Sequence, residues 1–250
     1  MIVLNEKEWA ESVIASRQLG KDPVKTLFIL ARYYRQALGF KKVAVRKKLS
    51  EFLLQCDPSC VLVHWADILD KLAKGSGKHP LTQIDSISIT EAELVVVKAA
   101  GSPQRSRLLF ALLCVAKFWN AKHPQNNGWV NIEDREIMTL ANINTSVVRQ
   151  CRLLRELRDS GCIRFSRRVN NLNIKVECIQ YDSPTAIQIS DFRSLGSQYQ
   201  AFLGEAFIQC QQCGLTTKKT SNSRKYCTEC ASDMYIQKSV ASVMRCRAAG

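Results

Sequence analysis

Apolar residues recur at three- and four-residue spacing along most of the chain, and this pattern predicts a mainly helical protein. Near the N-terminus, Asn5 and Asp22 stand where side-chain oxygens cap helices, so a helix is predicted after each. Segments 43–55 and 60–73 repeat the helical spacing. Residues 1–78 are therefore predicted to form an N-terminal helical domain.

The middle of the chain carries the most apolar helix pattern. Thr90 and Glu93 have capping-box spacing and predict a helix start, and a second helix is predicted to follow soon after. Residues 104–120 are apolar on most faces, which indicates a buried central helix. We assign residues 79–182 to this domain.

The second half of that domain changes from helical to alternating patterns. A short extended piece, a helix capped by Asn131 and a helix over residues 145–160 precede alternating apolar and polar positions at 163–178, which predict a hairpin. This order is typical of a winged helix-turn-helix domain, with 145–160 as the recognition helix and 163–178 as the wing. The predicted fold class is thus mainly α with small β.

Within residues 145–160, Val147, Cys151, Leu154 and Leu157 are predicted to face inward, which leaves arginines on the outer face. Arginine, asparagine and glutamine side chains in a major groove contact base edges or phosphates. The candidate DNA-binding residues are Asn144, Thr145, Arg149, Gln150, Arg152, Arg155, Arg167, Arg168 and Asn170.

Four cysteines near the C-terminus form two CxxC pairs. Cys210 and Cys213 are separated by thirteen residues from Cys227 and Cys230, which is typical of a zinc site. Zn²⁺ is the predicted cofactor. Residues 183–205 are predicted to connect the middle domain to this module at 206–250.

The chain after Cys230 has a helical pattern, with Met234, Val240, Val243 and Met244 as a candidate buried stripe. A helix that begins at the second cysteine pair favours a treble-clef-like module, because a helix N-terminus stabilises thiolate charge. A zinc ribbon remains the alternative.

Charge indicates the class of partner. Lys and Arg number 36 against 22 Asp and Glu, a formal net charge of +14, which attracts polyanions such as nucleic acid. A secondary basic patch is predicted from Lys41, Lys42, Arg46, Lys47, Lys48, Lys218, Lys219, Arg224 and Lys225, although a solvated charged face is the ordinary alternative.

Several function classes lack support in the sequence. The stretch 75–78 lacks the first glycine and the hydroxyl residue of a phosphate-binding loop, and the three histidines show no metal-ligand spacing. No enzymatic activity is therefore predicted. No signal peptide or membrane span is evident, and the other cysteines look like reduced core residues, so a cytoplasmic location is expected.

Seven short segments of the chain are distinctive: EWAE at 8–11, FLLQCDP at 52–58, WN at 119–120, NNGWVN at 126–131, MTLANINTSVVR at 138–149, GCIRFSRRVNNLN at 161–173 and KYCTECA at 225–231. In these segments the chain resembles a family of mostly uncharacterised proteins from phages and prophages of Gram-positive bacteria. The resemblance spans nearly the whole chain and implies a bacterial host cytoplasm and a mobile-element context, but it supplies no catalytic residue.

The leading hypothesis is a non-enzymatic phage or prophage protein that binds duplex DNA, in replication initiation or in transcriptional control. One alternative is an interaction factor that docks on polymerase or replisome machinery through its basic surface and zinc module. A third hypothesis is an RNA-binding factor, although exposed aromatic stacking motifs are not evident.

Overall fold

The computed structural model describes residues 2–20, 22–167 and 173–248, without the side chains of 237 and 241–248. The chain divides into one unit over Val3–Asp85 and another over Ser86–Gly250 with the first two residues. The prediction of a mainly helical chain with small sheets is confirmed. No helix in the described part is long and apolar enough to cross a membrane.

The first unit is a cluster of helices. Its core contains Leu30, Leu49 and Phe52, all almost fully buried. The predicted caps form, because Asn5 accepts a hydrogen bond from the Glu8 amide at 3.2 Å and Asp22 accepts one from the Lys25 amide at 3.1 Å. The helices are α1 (Glu6–Ser16), α2 (Pro23–Gln36), α3 (Lys42–Cys56) and α4 (Ala66–Gly75), with a 3₁₀ turn at Leu62–Trp65 before α4.

The second unit surrounds one long helix. In chain order its elements are β1 (Ile87–Thr90), α5 (Glu91–Lys98), α6 (Pro103–Lys122), β2 (Trp129–Val130), α7 (Asp134–Leu140), α8 (Val147–Asp159), β3 (Ile163–Phe165), β4 (Ile174–Val176), β5 (Thr185–Ile189), α9 (Leu195–Phe202), β6 (Phe207–Gln209), β7 (Thr216–Lys218) and α10 (Thr228–Ala248).

Helix α6 is the buried centre of this unit, as its apolar faces predicted. Residues Leu108 to Phe118 are all buried, and α5, α7, α8 and α9 pack around them. Strands β2, β4 and β3 form a three-stranded antiparallel sheet in that order, in which Val130 pairs with Ile174 and Phe165 pairs with Ile174 on the other side. The hairpin β3–β4 directly follows α8 in sequence.

Two predicted features of this unit differ in the structure. Asn131 does not cap α7, because this helix begins later, at Asp134. Glu133 occupies the N-cap position and has the extended backbone of a cap residue. The segment 183–205, predicted as a connector, contains β5, which pairs with β1, and α9, which packs on α6.

Candidate metal centre and nucleic-acid interface

The four cysteines of the two CxxC pairs converge on one point. The hairpin β6–β7 carries Cys210 and Cys213, and the start of α10 carries Cys227 and Cys230. Their sulfur atoms all lie within 4.8 Å of one another, and Cys210, Cys227 and Cys230 are buried. The Cys213 and Cys227 sulfurs are 3.8 Å apart.

This spacing fits a tetrahedral ion. With metal–sulfur bonds of about 2.3 Å, two corners of a regular tetrahedron lie about 3.8 Å apart. Soft thiolate donors select a thiophilic metal rather than Mg²⁺ or Ca²⁺. The four residues can therefore hold one metal ion.

Local backbone geometry builds the cluster. Gly214 has φ of +72°, which lets the chain turn after Cys213, and its amide donates to the Cys210 carbonyl at 2.8 Å. At the other pair, the Cys230 amide donates to the Cys227 sulfur at 3.4 Å, so Cys227 acts as the N-cap of α10. The start of a helix favours negative charge on this sulfur.

Amide groups also favour the thiolate form of Cys210. Burial by itself raises the pKa of this thiol, but hydrogen bonds from the backbone of Cys227, Cys213 and Gln212 outweigh burial and lower it to about 6. A thiolate is the form that binds metal.

An arginine just before α9 contacts the cysteine cluster. The Arg193 guanidinium donates to the Cys213 carbonyl at 2.7 Å and pairs with Asp191 at 2.8 Å. The hydrogen bond to Asp191 raises the pKa of Arg193. No spacing rule in the sequence indicates this contact, which joins residues twenty positions apart.

Helix α8 buries a different face from the one predicted. Ser146 caps it by accepting from the Arg149 amide at 3.4 Å, and the inward residues are Leu153, Leu154 and Leu157. The predicted inward positions Val147 and Cys151 are exposed. Relative to the prediction the inward face of α8 is rotated, and Leu153 lies in the core in place of Val147 and Cys151.

The outward face of α8 is consequently the stripe Val148, Cys151, Arg152 and Arg155, at positions i, i+3, i+4 and i+7. We call these four residues the α8 stripe. All four are exposed. Two predicted DNA-binding residues, Arg152 and Arg155, therefore lie on it.

Arg149 and Gln150 lie beside the stripe and are half-buried. The Arg149 guanidinium donates to the Gln104 side-chain oxygen at 3.4 Å, and the Gln150 amide donates to the Thr145 carbonyl at 2.9 Å. Of the residues preceding the helix, Asn144 is exposed and Thr145 is half-buried.

A single carboxylate faces three arginines at this surface. Glu156 lies 3.0 Å from Arg152, 3.7 Å from Arg105 and 4.0 Å from Arg149. One negative charge opposes three positive ones, so the surface keeps a net positive charge. The Arg152 side chain remains 70% exposed.

The predicted wing is described in part. Strands β3 and β4 pair as a hairpin, and Arg167 is exposed just after β3. Arg168 and Asn170 lie outside the described residues. On the hairpin itself, Arg164 pairs with Glu177 at 3.0 Å.

The secondary basic residues belong to both units. In α3, Arg46 pairs with Asp70 and Lys48 pairs with Glu51, while Lys41, Lys42 and Lys47 are exposed. Near the cysteines, Lys218, Lys219 and Lys225 are exposed. Arg224 instead braces its own loop, because its guanidinium donates to Thr220, Tyr226 and Thr228.

The thiols outside the cluster differ in environment. Burial raises the pKa of Cys114 and raises that of Cys178 to about 12, which is typical of inert core thiols. Cys56 and Cys60 are partly buried, and Cys151 departs from the predicted core location because it is exposed on the α8 stripe.

Helix α10 begins at the metal cluster as predicted, but its candidate buried stripe does not form where side chains are described. Met234 is half-buried and Val240 is exposed. The side chains of Val243 and Met244 lie outside the described part.

Comparison of the chain with models of protein families, with curated proteins and with solved structures gives no match. Its class therefore follows from its own residues. The chain is a mainly helical protein with small sheets and a four-cysteine cluster that could hold a metal ion.

Proposed function

We propose that this chain is a non-enzymatic DNA-binding protein of a phage or prophage, which lays α8 in the major groove of duplex DNA. The single observation that carries the proposal is the α8 stripe, where Arg152 and Arg155 are exposed on the face opposite the buried leucines. Arginine side chains on an exposed helix face bind phosphates and guanine edges.

The surrounding elements support this role for α8. Helix α6, strand β2, helices α7 and α8 and hairpin β3–β4 follow one another in the order of a winged helix. In such a domain the second helix of the turn enters the major groove, and the hairpin lies where it can contact the adjacent backbone. Arg167, exposed at the hairpin, has the charge that such a contact requires.

Zinc is the metal that we propose for the cysteine cluster. Four thiolates at tetrahedral spacing are the donor set of structural zinc sites, and a closed set of four protein ligands leaves no position for a substrate. The module would contribute folding energy, with phosphate contact or partner docking by Lys218, Lys219 and Lys225 as additional roles. Whether its fold is called treble-clef-like or a ribbon does not change this chemistry.

The phage or prophage origin rests on the resemblance of segments such as 138–149 and 225–231 to phage proteins. Replication initiation and transcriptional control both fit a duplex-binding protein with an additional helical unit. The bacterial host cytoplasm is the location that this origin implies.

Binding of the full chain to fluorescent duplex DNA at increasing salt concentration tests the proposal. We expect affinity to fall linearly on logarithmic axes, with a slope of about −0.9 for each phosphate neutralised. A duplex RNA and a single-stranded DNA of the same sequence serve as competitors, and both should compete less well than duplex DNA. Absence of binding at low salt, or stronger competition by RNA, would contradict the proposal.

Matched charge variants locate the surface. Arg152→Ala/Arg155→Ala removes two charges from the α8 stripe and should reduce both affinity and the salt slope, the slope by about two units. Lys71→Ala/Lys74→Ala removes two charges from exposed positions of α4 and should leave both nearly unchanged. Equal losses in the two variants would mean that net charge, not α8, carries the binding.

A second candidate function is an interaction factor for polymerase or replisome machinery. The observation that favours it is on α10, where Tyr235, Ile236 and Val240 are all exposed large apolar residues. Salt separates the two functions, because apolar docking weakens little as salt rises whereas phosphate binding weakens steeply.

A further inference from the structure

The α8 stripe has two chemically different halves. Its C-terminal half carries Arg152 and Arg155, while its N-terminal half carries Val148 and Cys151. Val147 lies next to Val148, and these valines are 72% and 82% exposed. An apolar patch therefore occupies the end of the helix that enters a groove most deeply in helix-turn-helix proteins.

These valines do not contribute to the fold. The buried face of α8 is supplied by Leu153, Leu154 and Leu157. An exposed valine also forms a helix less readily than alanine does, because its branched side chain loses rotamer freedom. Both valines are therefore accessible to a ligand at the N-terminal end of α8.

The geometry points to thymine as that ligand. Resting on the duplex-binding function proposed above, we infer that Val148, with Val147 beside it, contacts the C5-methyl groups of thymines in the major groove. The thymine methyl is the apolar group that a base pair presents there, and small apolar side chains recognise it. Valine offers methyl groups and no polar atom to leave unpaired.

Helix dimensions allow both halves of the stripe to act at once. At 1.5 Å per residue, Arg155 lies about 10 Å along the axis from Val148, which is comparable with the width of a major groove of about 12 Å. With Val148 at the base edges, Arg152 and Arg155 extend toward the phosphates on the rim. Charge complementarity therefore orients the apolar end toward the bases.

This assignment changes which residue determines sequence preference. Arg149, one of the candidate DNA-binding residues from the sequence, is half-buried and held by Gln104 and Glu156. We assign Arg149 to positioning of the helix, and Val148 to recognition. The expected target contains thymine at one or two positions where the methyl group, not the base pair alone, matters.

Deoxyuridine substitution tests the inference, because it removes only the methyl group. Duplexes are first selected from a random pool with the full chain, and each thymine of the selected duplex is then replaced singly by deoxyuridine. We expect a loss of about fourfold in affinity at one or two positions, the effect of one buried methyl group. Unchanged affinity at every thymine would overturn the inference.

Two valine variants complete the experiment. Val148→Ala should weaken binding to the thymine duplex and abolish the difference between thymine and deoxyuridine at one position. Val95→Ala, at a 67% exposed valine of α5, should retain the wild-type affinity and the full difference. Circular dichroism of both variants should match the wild type, since neither valine is buried.

The outcomes separate this inference from the proposed function. Duplex binding without sequence preference, or a deoxyuridine penalty that Val148→Ala leaves unchanged at every position, overturns thymine recognition and leaves duplex binding intact. No binding of the wild type to any duplex at low salt contradicts the proposed function and this inference together.

Discussion

At the scale of single residues, position 196 requires glycine because two stretches of backbone approach each other closely there, not because the chain turns. Gly196 lies in the first turn of α9, and a Cβ atom there would lie 2.1 Å from the Ala141 carbonyl oxygen and 2.4 Å from its carbon. Both atoms belong to the backbone at the end of α7. Neither element can move aside as a flexible side chain would.

We therefore expect Gly196→Ala to destabilise the second unit by about 1–3 kcal/mol, the usual cost of overpacking. Urea unfolding followed by circular dichroism measures the effect. Gly75→Ala is the control, because nothing lies within 4 Å of a Cβ there and the φ angle is not left-handed. A stable Gly196→Ala protein would show that α9 packs less closely than described.

Residue patterns in the sequence predicted the cysteine cluster but not which face of α8 is buried. The cysteine spacing is local, and the two pairs come close enough to hold one metal ion between them. Two inward faces of α8 are compatible with helical periodicity, and both contain Leu154 and Leu157. Periodicity alone therefore does not show which face is buried. The choice depends on whether Leu153 or the pair Val147 and Cys151 meets the core, and that is decided by tertiary packing.

At the scale of elements, one buried ion pair joins α5, α6 and the chain after β4. The Glu93 carboxylate accepts from the Thr90 amide at 2.8 Å, from the Gln180 amide at 2.9 Å and from the Lys117 ammonium at 2.8 Å. Its exposure is 0%. The capping box was predictable from the spacing of Thr90 and Glu93, whereas Lys117 belongs to a helix whose sequence predicts apolar burial.

Removing one partner of this buried ion pair should destabilise the protein more than removing both. We expect Lys117→Met to destabilise the protein by about 3–5 kcal/mol, because it leaves the Glu93 charge buried without a cation. Adding Glu93→Gln should recover part of that loss, since it removes the buried charge while its one side-chain oxygen can still accept from either Thr90 or Gln180. Urea midpoints of the single and double variants measure the coupling.

The exposed pair Lys48 and Glu51 provides the reference for that comparison. Its side chains are about half solvated, so Lys48→Ala should change stability by less than about 1 kcal/mol. If the stability losses of the Glu93→Gln and Lys117→Met single variants simply add up in the double variant, the coupling between these two buried side chains is contradicted.

At the scale of the whole molecule, the metal cluster and the helical core are built from different forces. The core around α6 buries apolar side chains continuously, whereas among the described residues the cysteine cluster is packed against the apolar side chains of Leu215 and Tyr226. A module with so little apolar burial would depend on a bound ion for stability. The sequence predicted the ligands from spacing, but not the contacts of Arg193 and α9 that attach the module to the core.

Loss of the metal should therefore unfold the module and leave the core intact. We expect one zinc ion per chain by elemental analysis, and we expect Cys227→Ser to lose it, because Cys227 is both a ligand and the N-cap of α10. Hydrogen exchange should accelerate across residues 206–231 while α6 stays protected. Cys151→Ser, which alters an exposed thiol on α8, should retain the metal and the protection pattern. Metal retained by Cys227→Ser, or faster exchange throughout α6, would show that cluster and core are not separable in this way.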